Sequence, residues 1–110
     1  MEAGRFSFAL AVKDIAAAWA FYEKLGFKIL LGKVEDKWLV IQNGAAIFSL
    51  HQGGIDKNTL TFNPTDVRAI QKELKSKNVP LTVEADESTT GPAYITLADP
   101  DGNPILFDQH

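Results

Sequence analysis

Ser7-Phe8-Ala9-Leu10, followed by Asp14-Ile15, recurs 52 positions on as Thr59-Leu60-Thr61-Phe62 followed by Asp66-Val67, and the turn Gly26-Phe27 recurs as Asn78-Val79. A spacing kept through a strand-like segment, a capping aspartate and a helix stop marks one supersecondary unit used twice. The chain reads as a single domain, 1–110, with a first unit over 1–52 and a second over 57–110. A cavity between the copies is then the natural place to seek a site.

Size and composition agree with this reading. The chain has 110 residues and a 45% apolar content, enough for one core, whereas a half of about 55 residues would bury too little alone. The net charge of -3, without a run of Lys or Arg, offers no footprint for nucleic acid or an anionic membrane. No stretch approaches the roughly 20 apolar residues that span a bilayer, and the N-terminus lacks a basic and apolar leader, so a cytoplasmic protein is expected. There is no cysteine and only His51 and His110 supply imidazole, which confines the chemistry to oxygen and sparse nitrogen donors.

Residues 5–12 alternate small or polar with large apolar side chains, the period of a strand with two unlike faces. Asp14 caps a helix through about Leu25, with Ala18, Phe21, Tyr22 and Leu25 assigned to its packed side and Gly26 as its stop. Three strands follow over 28–33, 37–42 and 45–51, the last two joined at Asn43-Gly44. The second unit repeats the order, with a strand over 58–63 and a helix over about 65–76 capped by Thr65, carrying Val67, Ile70 and Leu74 on one side. Asn78 then takes the role of Gly26, and strands follow near 81–85, 93–98 and 104–109. The segment 87–92 is read as a mobile loop able to cover a cavity mouth.

The order βαβββ-βαβββ, the segment Phe21-Tyr22-Glu23-Lys24-Leu25-Gly26-Phe27 and the tail Asp99-Pro100-Asp101-Gly102-Asn103-Pro104 together resemble the vicinal oxygen chelate superfamily, which includes glyoxalase I, bleomycin resistance proteins and extradiol dioxygenases. The resemblance implies an α+β fold whose two βαβββ units form curved sheets around a cavity. In metal-dependent members it also implies ligands from the first and last strand of each unit. Those positions fall on Ser7, Ser49, Thr59 and Leu106, none a carboxylate, imidazole or carboxamide. Three hydroxyls and a leucine would not replace the hydration shell of a divalent ion, so no metal and no cofactor are expected.

By alternation Ser7, Ser49 and Thr59 occupy the phase opposite Phe8, Phe48, Leu50, Leu60 and Phe62, leaving an open surface for an organic ligand. Leu106 joins this set, and Trp38 and Tyr94 offer aromatic walls with polar tips. His51 and Asp108 lie two residues beyond Ser49 and Leu106 and are the candidates for acid-base work, with His110 one step further. Arg5 and Lys57 are placed near strand starts as attractors of an anionic group. Asp99-Pro100-Asp101-Gly102-Asn103 is read as a turn, since it lacks the remaining ligands of a calcium loop.

The leading expectation is a metal-free protein that binds a small organic molecule, with a homodimer implied by the bleomycin resistance branch. Open alternatives are a metal-dependent lyase, isomerase or dioxygenase with displaced ligands, and a subunit retained only for association.

Overall fold

Strand β1, Arg5–Ala11, carries the alternation into the structure: Ala9 is buried, and Phe8 and Leu10 take the opposite phase. The computed structural model describes residues 1–110 as α+β, with two helices and seven strands in two compact units, Ser7–Thr59 and Met1–Phe6 with Leu60–His110.

In the Ser7–Thr59 unit, β1 leads to helix α1, Ile15–Lys24, and then to strands β2, Lys28–Lys33, β3, Trp38–Asn43, and β4, Ala46–His51. The strand order is β2-β3-β4-β1, antiparallel except that β1 runs parallel to β4, with Ala9 beside Ser49 and Ala11 beside His51. Leu39, Ile41 and Leu50 turn to one side and close a core with Ile15, Ala18, Trp19 and Tyr22 of α1. At about 100° per residue these four helix positions form one stripe. Phe21 and Leu25, expected in it, fall outside and are exposed.

In the second unit, strand β5, Thr59–Asn63, leads into helix α2, Val67–Ser76, and then into strands β6, Ala93–Ala98, and β7, Pro104–Gln109. The order is β5-β7-β6, with β5 parallel to β7 as β1 is to β4. Val67, Ile70 and Leu74 pack on Ile95, Leu97 and Phe107.

The repeat is exact in its capping chemistry. The Ala17 amide donates to Asp14 Oδ1 at 3.2 Å, and the Ala69 amide donates to Asp66 Oδ1 at 3.1 Å. Asp66, and not Thr65, is therefore the N-cap of α2, because its carboxylate reaches the amide three residues on. The first amide of each helix is satisfied from the end of the unit's last strand: Ile15 N–H donates to Gln52 Oε1 at 3.0 Å and Val67 N–H to Gln109 Oε1 at 2.9 Å. Asn78 adopts a left-handed φ of 61° where Gly26 has 95°.

Two expectations fail here. The strand expected over 81–85 is reduced to a bridge between Val83 and Thr96, and the loop 87–92 is tied down. Gln71, 1% exposed on α2, takes the Ala85 amide on its Oε1 at 2.7 Å and donates through Nε2 to the Ala85 carbonyl at 3.0 Å and to Glu87 Oε2 at 2.8 Å. With both backbone groups of Ala85 bound to a side chain, none is left there to extend the pairing beyond Val83. Arg68 holds the rest, donating to the carbonyls of Asp86 and Gly91 and to Thr89 Oγ1.

The tail motif is a turn, as read. Asp99 Oδ1 accepts from the amides of Asp101 and Asn103 at 3.0 and 2.8 Å, and Gly102 supplies a φ of 85°. The Asn103 side chain and these amides hold the Asp99 carboxyl below its usual range.

Candidate functional site

Each unit covers one side of its strands with a helix and leaves the other side open. In the Ser7–Thr59 unit the register fixes which side chains share the open face, since residues paired across neighbouring strands point the same way. His51 pairs with Trp38 and Ala11, and Ser49 pairs with Val40 and Ala9. Ser7, two and four residues before Ala9 and Ala11 in phase, joins them on β1. Trp38, whose phase the sequence left open, is 39% exposed, and Ile47 and Leu31 on the same face are exposed as well.

The polar centre of this face is a pair. His51 Nε2 lies 2.9 Å from Ser49 Oγ, and Ser49 Oγ lies 3.5 Å from the Phe8 carbonyl. Ser49 is only 6% exposed, so the hydroxyl is fixed in a dry setting. Partial burial lowers the His51 pKa, which keeps the imidazole neutral at pH 7. A neutral ring held by one nitrogen leaves the other free to accept or donate a hydrogen bond. Gln52, the next residue, is anchored to the start of α1, so the end of β4 is positioned from both sides.

Thr59 is buried and donates to the Lys57 carbonyl at 2.9 Å. Lys57 lies in the connector before β5 and not on a strand, because the strand begins only at Thr59. Arg5 is the first residue of β1 and is exposed.

In the second unit Leu106 sits between Thr61 and Thr96, and Tyr94 pairs with Asp108. Tyr94 is 52% exposed, and the Thr61 hydroxyl is buried without a hydrogen-bond partner. An orphan of this kind costs about 1–3 kcal/mol unless water or a bound molecule satisfies it. Asp108 Oδ2 lies 3.6 Å from His110 Nε2. A groove of about 420 Å³ beside the start of α2, lined by Arg68, Lys72, Thr89 and Gln109 among others, borders the segment 87–92 and contains none of the candidate ligand-binding or acid-base residues.

The residue pattern of the Glyoxalase/Bleomycin resistance protein/Dioxygenase superfamily matches residues 5–107. The chain belongs to this superfamily. Solved structures agree at the level of the fold. A glyoxalase/bleomycin resistance protein/dioxygenase superfamily member from Vibrio splendidus 12B01 is 16% identical, with a TM-score of 0.73 over 96% of this chain and 98% of that one. A protein described as an NAD-dependent benzaldehyde dehydrogenase from Legionella pneumophila is 14% identical, with a TM-score of 0.78 over 96% and 98%. Homoprotocatechuate 2,3-dioxygenase from Arthrobacter globiformis is 16% identical, with a TM-score of 0.64 over all of this chain and 39% of the dioxygenase. No curated protein matches the chain.

The divalent ion of the metal-dependent superfamily members does not fit the residues found here. Ser49 Oγ is committed to His51 and Phe8, Thr59 Oγ1 to Lys57, and Leu106 has no donor atom. No three His, Asp or Glu side chains come together as a metal-holding group. Neutral hydroxyls already engaged with the protein are poor substitutes for carboxylate and imidazole ligands.

Proposed function

We propose that this superfamily member captures a small, partly apolar organic molecule on the open face of the Ser7–Thr59 unit, without a divalent ion. The observation that carries the reading is the Ser49–His51 pair at 2.9 Å, set among exposed Trp38, Leu31 and Ile47 on a face no helix of its unit covers. Apolar and aromatic side chains around a few fixed hydrogen-bonding groups are the lining by which proteins hold small ligands: the aromatic wall supplies area, and the polar pair sets orientation. Leu106 and Tyr94, with the orphan Thr61 hydroxyl, are proposed by themselves as ligand-facing residues of the second unit. A homodimer in the cytoplasm is part of the same proposal.

A second reading, turnover with His51 as general base, draws on the neutral state of that ring and its hydrogen bond to Ser49.

The metal-free part is tested by elemental analysis of tag-free protein equilibrated with nickel, zinc, manganese or iron(II) and then dialysed. Far less than one ion per chain is expected. One tightly held ion per chain would remove the proposal and direct attention to His51, Asp108 and His110.

A further inference from the structure

The charge on the open face of the Ser7–Thr59 unit narrows the ligand class, and this step rests on the binding reading above. Open-face positions of β1, β3 and β4 carry no charged side chain within the unit; those of β2 carry Lys28 and Lys33. Simple alternation would send these two lysines to opposite faces, since they are five residues apart. The register shifts between Ile29 and Leu31, and this bulge brings both to one side: Lys28 pairs with Gln42, Leu31 with Val40 and Lys33 with Trp38.

Across the strands the pairing then reads Lys33, Trp38, His51, with an indole between an ammonium and an imidazole. Neighbouring strands lie about 4.8 Å apart, so Lys33 on β2 and His51 on β4 are separated by about 10 Å at the backbone. That span matches two fused rings with one substituent. Neither lysine takes part in an ion pair. The nearest carboxylates in sequence, Glu35 and Asp36, belong to the 3-10 turn Val34–Asp36, whose Val34 packs on the helix side. In a chain with a net charge of -3, the two charged side chains at open-face strand positions of this unit are therefore both cations.

We infer that this face selects flat apolar anions, aromatic carboxylates or sulfonates, with the ring system on Trp38 and the anionic group toward Lys33 and Lys28. The cations at the edge attract the charged group while leaving the apolar centre for the rings.

A matched pair of fluorescent probes separates charge from ring contact: 8-anilinonaphthalene-1-sulfonate and N-phenyl-1-naphthylamine share the ring body and differ in the sulfonate. For the intact chain, the double variant Lys28→Gln, Lys33→Gln is expected to weaken the sulfonate about fivefold and the neutral amine less than twofold. Added 0.5 M NaCl is expected to weaken only the sulfonate. Circular dichroism checks that the variant is folded, as exposed lysines lead one to expect. Both probes bound with no selective loss in the variant would overturn the anion inference and leave the binding reading standing. Failure of both probes to bind would remove the two together.

Discussion

Replacing Gln71 by Ala is expected to lower the unfolding free energy by about 2–3 kcal/mol, because the Ala85 amide and carbonyl both lose their partner. The side chain is 1% exposed, so truncation also leaves a void that water fills poorly. The local consequence is release of the segment that follows. Glu87 loses its hydrogen bond from Gln71, which is the main reason its carboxyl lies below the usual range. Urea unfolding followed by circular dichroism reads the stability, and hydrogen exchange reads the Ala85 amide. A change below about 0.5 kcal/mol with unaltered exchange at Ala85 would mean that Gln71 does not pin the loop.

The second large effect is expected at Gly32, which has a φ of 90° and pairs with Leu39 on the edge strand. A Cβ built there meets the Trp38 carbonyl oxygen at 2.6 Å and the indole atoms Cε3 and Cζ3 at 2.9 Å. The left-handed conformation alone costs an L-residue about 1–2 kcal/mol, and the collision involves the backbone of the paired strand, which cannot simply rotate away. Gly32→Ala should therefore lose about 2 kcal/mol or more and displace the indole. With Trp19→Phe as background, the emission of Trp38 reports its surroundings directly. An unshifted spectrum with unchanged stability would contradict the placement of this ring over the glycine.

Much of the fold was legible because the repeat places equivalent devices at equivalent positions. Asp14 and Asp66 cap helices of the same length, and Gly26 and Asn78 both turn left-handed to end them. The elements misread were those decided by side chains reaching across the chain. Gln71 takes both backbone groups of Ala85 in the segment expected as a strand over 81–85, and no local pattern announces a glutamine that binds a backbone 14 residues away. Gln52 and Gln109, which bind the first helix amides, were equally invisible, although their common place at the end of the last strand of each unit was a usable signal.

For the candidate site, alternation along β1 and β4 was enough to group Ser7, Ser49 and His51 on one phase. Trp38 and Tyr94 needed register, which follows from pairing with His51 and Asp108 rather than from their own neighbours. The lysines of β2 were missed because a bulge at one residue inverts the phase of everything after it.

The central claim is that the open face of the Ser7–Thr59 unit is where this protein holds its ligand, and amide NMR on isotopically labelled chain tests it most directly. The titration uses 8-anilinonaphthalene-1-sulfonate in the presence of EDTA. Saturable shifts centred on Trp38, Val40, Ser49 and His51 are predicted. Shifts confined to the groove beside α2, at Thr65–Lys72 and Thr89–Gly91, or no saturable shifts at all, would contradict it.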